Sequence, residues 1–302
     1  MADMKINLCG VELNNPIIMA SGTFGFGREM AAYNDLSRLG GISSKGITRN
    51  PRPGNPTPRI AETPSGCINS VGLENPGVEK FIERELPFMK SLDTGVIVNV
   101  SGSSVEEYCE TVELVCAAGA DMIELNISCP NIKGGGMAFG TSAEPAAGVV
   151  KEVRKVCTLP LMVKLSPNVA DIAAIAKAVE GEGADAVSLI NTLSAMAIDA
   201  RTRRPILKQI MGGLSGPAVK PVALRMVYQV SQAVKIPVVG LGGVTTGIDA
   251  AEFMICGASA VMVGTANLMD PYSCVRIVDE LNDYLDEMGI GSAAELVGTL
   301  MV

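Results

Sequence analysis

The sequence predicts a closed (β/α)8 barrel of parallel strands, and three observations predict it. A short, β-rich apolar run followed by a Gly- or Asn-containing exit and a helix-patterned stretch recurs eight times. The runs are predominantly and continuously apolar and not alternating, as strands of a parallel sheet covered by helices are. Eight such repeats within 302 residues, 48% of them hydrophobic, favour a closed barrel over an open doubly wound sheet. One domain spanning residues 1–302 is expected.

In chain order the runs are Pro16–Ser21, Gly41–Lys45, Gly95–Val100, Met122–Ile127, Leu161–Leu165, Ala186–Asn191, Ile236–Leu241 and Ala260–Gly264. Between them, Ile172, Ile175, Ala176 and Val179 recur at helical spacing, as do Val105, Tyr108, Cys109, Val112, Val115 and Cys116. Gly119, Gly183 and Gly257 each stand between a helix pattern and the next strand. There a glycine supplies the left-handed residue that ends a helix. Two connections exceed a simple βα loop. Thr48 to Asn75 carries five prolines before Cys67, and a second excursion runs from Asn191 to Pro217. Long loops on one face of a barrel build its active site.

Function in this architecture belongs at the C-terminal ends of the strands. The exits read Ala20-Ser21-Gly22, Ser44-Lys45-Gly46, Asn99-Val100-Ser101, Asn126 to Asn131, Lys164-Leu165-Ser166, Asn191-Thr192, Gly242-Gly243 and Gly264-Thr265. Amides and two lysines at almost every exit exceed what turns require. The glycine exits of the last two strands fit phosphate held by backbone N–H groups and a short helix N-terminus. No GxGxxG joins a strand to a helix and no Walker A sequence occurs, which argues against a dinucleotide site on this chain. Lys45 and Lys164 are placed to meet an anion, because a lysine in a barrel mouth costs desolvation free energy without one.

Composition narrows the chemistry. Net charge is −8, which disfavours a nucleic-acid or anionic-membrane surface. The N-terminus shows no basic segment followed by an apolar run, so the cytoplasm is the expected compartment. Histidine is absent, which removes the commonest general base and the His-liganded metals. Eight cysteines occur without a CxxC pair or iron–sulfur spacing, and no metal site is expected. Cys129 stands apart. It follows a strand end, precedes Pro130, and opens a loop containing Lys133-Gly134-Gly135-Gly136. In a chain without histidine it is the best candidate for a general base.

Several longer motifs carry a resemblance. They are SGTFGFG (21–27), SKGIT (44–48), NSVGLENPG (69–77), VNVSG (98–102), ELNISCPN (124–131), VKLSPN (163–168), INT (190–192), GGLSGPA (212–218), and GGV with VGTA (242–244, 263–266). From Asn15-Pro16 to about Pro271 the chain resembles the class 1 dihydroorotate dehydrogenases, the B-type catalytic subunits most closely. That resemblance implies FMN at Ser21, Lys45, Gly46, Asn99, Asn126, Lys164, Ile190, Gly216, Gly242, Gly243, Gly264 and Thr265. It implies a dihydroorotate pocket of Lys45, Asn69, Ser70, Val71, Gly72, Leu73, Asn126, Asn131, Asn191 and Thr192. Asparagine amides offer both a donor and an acceptor, which suits the ring of such a substrate. Cys129 would take the C5 proton while hydride leaves C6 for the flavin. Membrane-associated class 2 enzymes carry Ser at that position and an extra N-terminal segment.

B-type enzymes pass electrons to NAD through a partner subunit holding FAD and a 2Fe-2S cluster. A homodimer of this chain within a heterotetramer is the implied assembly. The resemblance leaves the fumarate-linked A type as an alternative, and beside it a related flavin barrel acting on another pyrimidine. A non-catalytic barrel that binds a phosphate ligand is the reading from a different class. Glu74 departs from the Gln expected there.

Overall fold

All eight predicted runs form strands in the computed structural model, which describes residues 2–128 and 137–302. They are β1 (Ile17–Met19), β2 (Gly41–Ser43), β3 (Gly95–Val100), β4 (Met122–Asn126), β5 (Leu161–Lys164), β6 (Ala186–Leu189), β7 (Val238–Leu241) and β8 (Ala260–Val263). Each pairs in parallel with its sequence neighbours, and β8 closes onto β1. Several strands are shorter than expected at their ends. Pro16 and Pro237 fall outside β1 and β7 because a proline can accept a ladder hydrogen bond but cannot donate one. Their carbonyls take the N–H of Val261 (2.8 Å) and Val187 (3.1 Å).

Helices cover the outside. Val105–Ala117, Ala143–Val156, Ile172–Gly181, Lys220–Ser231, Gly247–Ile255 and Ser273–Glu287 each turn an apolar stripe inward. Ile172, Ile175, Ala176 and Val179 are buried, as their spacing predicts. Ser104, Asp171 and Thr246 cap three of these helices by accepting a backbone N–H three residues on, a contact worth about 1 kcal/mol each. Gly119, Gly183 and Gly257 take φ of +78°, +92° and +109°, the left-handed stops expected of them.

Inside the barrel the lower half is apolar. Ile18, Ile97, Met122, Met162, Ala186, Val239, Ala260 and Met262 form one cluster, and a hairpin of Ile6–Leu8 with Val11–Leu13 plugs its N-terminal end. Leu8 and Leu13 supply the stopper, at 0% and 2% exposure.

The two excursions meet over the opposite mouth. Ile60–Thr63 and Gly66–Asn69 from the first pair with Met211–Ser215 and Leu193–Met196 from the second, as one four-stranded antiparallel sheet. Gly213 lies opposite both Asn69 and Ser194. A β-carbon there would fall 1.9 Å from Thr192 Oγ1, so only glycine lets Thr192 pack against this sheet.

The barrel plug yields a stability test. Leu8→Ala should cost about 2–5 kcal/mol, since it opens a cavity between hairpin and barrel floor. Exposed Glu12→Ala on the same hairpin should stay within about 0.5 kcal/mol. Chemical-denaturation midpoints of the two variants check this.

Candidate functional site

Strand parity places the polar side chains. On β4, residues 122, 124 and 126 face the barrel interior, so the inward row runs from Met122 in the apolar layer to Glu124 and then Asn126. Asn99 of β3, Lys164 of β5, Ser43 of β2 and Ser188 of β6 arrive at the same depth. Glu124 is fully buried and accepts from Asn99 Nδ2 (2.5 Å), Ser43 Oγ (2.7 Å) and Ser188 Oγ (2.8 Å). Lys164 Nζ stands 3.8 Å from Glu124 Oε1 and donates to Ser21 Oγ at 3.3 Å. Asn126 Nδ2 donates to Asn99 Oδ1 (3.3 Å), and its own Oδ1 accepts from Ser128 Oγ (2.8 Å). Asn191 Nδ2 in turn donates to Ser128 Oγ (2.8 Å).

Above this floor opens a cleft of about 1290 Å³ of empty space, its open mouth included. Ser21, Lys45, Gly46, Asn99, Asn126, Lys164, Ile190, Gly242, Gly243, Gly264 and Thr265 line it. So do Asn69, Val71, Gly72, Leu73, Asn191 and Thr192 from the excursions. Asn55 holds the 69–73 stretch against the cleft, its N–H donating to Val71 O (2.8 Å) and its side chain to Ser70 O (2.8 Å). Burial pulls the Lys45 ammonium below its ordinary range, Arg59 adding to the effect and Glu74 and Glu29 opposing it. Glu74 itself pairs with Arg59.

The far end of the cleft is backbone. Gly243 has φ +80°, and a β-carbon on it would come within 2.8 Å of Gly216 O and 2.9 Å of Lys220 N. Glycine is therefore what lets this loop pack against Gly216 and Lys220 behind it, while Gly242 and Gly243 line the cleft with main chain. Asp249 fixes this loop from behind. Its Oδ2 accepts from Thr245 N (2.8 Å), Thr245 Oγ1 (2.8 Å) and Thr246 N (2.9 Å), while Oδ1 takes Lys220 Nζ (2.6 Å). Burial disfavours its charge, yet these hydrogen bonds and Lys220 prevail and hold the carboxyl below its usual range. This internal carboxylate occupies the N-terminus of Gly247–Ile255. The backbone left facing the cleft at this end is that of 242–243 and 264–265.

Some expected residues stand elsewhere. Gly216 packs behind Gly243 and does not line the cleft. Ser70 is buried in its wall, its hydroxyl without a hydrogen-bond partner among the described residues. Cys129, Asn131 and the Lys133–Gly136 glycine run lie outside the described residues. The sequence reading passed over Cys67, Ser215 and Leu268, which also line the cleft. Thr265 Oγ1 donates to Ser215 Oγ at 2.8 Å, tying the second excursion to the exit of β8. It passed over Glu124 as well, although an acid at an inward position of an apolar strand is a signal that parity alone could have found.

The likeness to known proteins agrees with this geometry. The family model for dihydroorotate dehydrogenase matches residues 3–285. The catalytic subunit of dihydroorotate dehydrogenase B (NAD(+)) from Parabacteroides distasonis is 57% identical over 301 residues, covering 99% of both chains. Its counterpart from Alkaliphilus metalliredigens is 53% identical over 298 residues, again 99% of both. That from Geobacillus kaustophilus is 54% identical over 299 residues, 99% of this chain and 96% of the relative. With near-complete coverage on both sides and a barrel whose mouth gathers the motif residues, the chain belongs to the dihydroorotate dehydrogenase family.

Proposed function

We propose that this chain is the catalytic subunit of an NAD-linked dihydroorotate dehydrogenase, oxidising dihydroorotate to orotate in pyrimidine biosynthesis with FMN in the barrel mouth. The observation that carries the reading is the meeting of two distinct surfaces in one cleft. A glycine backbone end and the Lys164, Asn99 and Asn126 floor suit a phosphate-bearing ring. The wall of Lys45, Asn69 and Asn191 suits a small carboxylated amide ring. Relatives 52–57% identical over nearly their full length carry the dehydrogenase name.

FMN would rest on Gly242, Gly243, Gly264 and Thr265 at its phosphate and on Asn99, Asn126 and Lys164 at its ring, and when bound it supplies the acceptor for the hydride leaving C6. Lys164 keeps a positive charge at the cleft floor, where negative charge gathers on reduction. Lys45 offers its ammonium to the substrate carboxylate, and Asn69, Asn126, Asn131 and Asn191 present donors and acceptors to the ring amides. Cys129 takes the C5 proton as thiolate, so one proton and one hydride leave together and the ring gains its double bond. Held between floor and excursions, the substrate reacts away from bulk water.

Two electrons per turnover must then leave. We assign them to a partner subunit that carries FAD and a 2Fe-2S cluster and reduces NAD. Tyr33, Leu268, Met269 and Tyr272 are each more than half exposed, and Leu268 also lines the cleft. Exposed apolar residues at the cofactor's own door suit the docking of such a subunit. Met196, Ile198, Ile210 and Met211 on the second excursion are equally exposed and suit a second copy of this chain, giving the heterotetramer.

Kinetic and binding measurements test these assignments. Dihydroorotate should bleach the flavin of the wild-type protein in a stopped-flow trace. Cys129→Ala should keep its flavin while bleaching about 10²–10⁴-fold more slowly at neutral pH. Wild-type rates in that variant, or a protein that binds dihydrothymine and ignores orotate, would sink the reading. Orotate affinity should fall as pH rises, because Lys45 loses its charge below the usual lysine range. Titrations followed by flavin absorbance should show that fall beginning before an exposed lysine would titrate, and Lys45→Met should abolish it. Met269→Asp should cut partner-dependent NADH formation about tenfold or more while leaving bleaching by dihydroorotate unchanged.

A further inference from the structure

Glu124 has no part in the chemistry above, yet its fully buried carboxylate sits beneath the whole cleft. A carboxylate can only accept hydrogen bonds, so it dictates the direction of every bond leading away from it. Asn99 must turn its amino group to Glu124 (2.5 Å), which leaves its carbonyl oxygen for Asn126 Nδ2 (3.3 Å). Asn126 is then committed to offering Oδ1 to Ser128 Oγ (2.8 Å). With its proton spent there, Ser128 Oγ can only accept from Asn191 Nδ2 (2.8 Å). Asn191 Oδ1 lastly accepts from Thr192 N at 2.8 Å. One anion thus fixes a one-way row of amides running from β3 to the second excursion. Its other oxygen takes Ser188 Oγ (2.8 Å) and stands 3.8 Å from Lys164 Nζ.

We propose that Glu124 is a positioning residue. Its charge sets the donor–acceptor polarity of the Asn99–Asn126–Ser128–Asn191 row, through which Asn126 and Asn191 meet the substrate ring and Asn99 the cofactor, and it offsets the charge that Lys164 presents to the cofactor. The inference rests on the function proposed above, since it needs both ligands in this cleft. A neutral amide at position 124 could donate as well as accept. The row would then lose its fixed direction, and Lys164 would be left without its counter-charge.

The test uses the FMN-loaded protein with two variants, Glu124→Gln and Glu124→Asp. E124Q should retain flavin, bind orotate about tenfold or more weakly, and show a flavin midpoint potential raised above wild type. E124D keeps the charge on a shorter arm, so its potential should return towards wild type while orotate binding stays weakened. A residue that only held the fold together would lower the melting temperature without this split between potential and affinity. E124Q with wild-type potential and orotate affinity overturns the inference. Should E124Q not be recovered folded, E124D alone decides, and wild-type orotate affinity in it overturns the inference equally. A wild-type protein that takes up no FMN or ignores orotate would overturn the reading of the site itself. A responsive wild type beside an unchanged variant overturns only the role of Glu124.

Discussion

The depth at which the barrel interior changes from apolar to polar governs the rest of this structure. Every second residue of a strand points inward, and the eight strands fill the lower barrel with Ile18, Ile97, Met122, Met162, Val239 and their neighbours. One step higher the same parity delivers Ser43, Asn99, Glu124, Lys164 and Ser188. Their side chains are almost fully buried, so each of these groups needs a hydrogen-bond partner close at hand. The Glu124 carboxylate makes this possible, because three strands contribute donors that converge on it. Without an acceptor of that strength, two hydroxyls and an amide would be buried facing one another around a lysine.

Whether the Lys164–Glu124 pair adds stability is a separate question, and the magnitudes decide it. Two charges about 4 Å apart attract by roughly 4 kcal/mol at the effective dielectric that reproduces most protein data. Removing each ion from water costs several kcal/mol. For two ions that cost exceeds the attraction, and the hydrogen bonds from Ser43, Asn99 and Ser188 are needed to offset the remainder. The pair therefore contributes little to holding the barrel shut; Leu8 and Leu13 in the plug do more. What the pair does supply is a fixed pattern of charge and hydrogen-bond direction at the base of a cleft. A cation buried at that point needs a local partner, and Glu124 with Ser21 provides one.

The sequence made the barrel legible because its signals are local. Continuous apolar runs mark the strands, and Gly119, Gly183 and Gly257 mark helix ends through a backbone conformation other residues avoid. The site was legible for a related reason: strand ends are where polar residues have no structural excuse. Less could be read where placement depends on distant chain. That the excursions form one sheet follows from pairing 66–69 with 211–215, more than 140 residues apart, and no local pattern announces it. Gly216 carries the glycine signature yet serves Gly243 from behind. Cys67, Ser215 and Leu268 look ordinary in sequence and reach the cleft only through that sheet. Glu124 was hidden by its position mid-strand, although its spacing of two from Asn126 placed it on the same inward row.

The joined excursions also give the cleft walls of two different kinds. Barrel strands end in fixed positions, which suits a cofactor that stays bound. A substrate that enters and leaves at each turnover needs a wall whose parts are held by fewer, more exposed contacts. Asn69, Val71, Gly72, Leu73 and Thr192 come from the four-stranded sheet and its turns, all only partly buried. Asn99, Asn126 and Lys164 come from the barrel and are almost fully buried. The amide row ties the two halves together. It begins at a carboxylate locked within the barrel and ends at Asn191, where the second excursion departs. Hydrogen-bond direction set inside the barrel is thereby carried out to the wall built by the excursions.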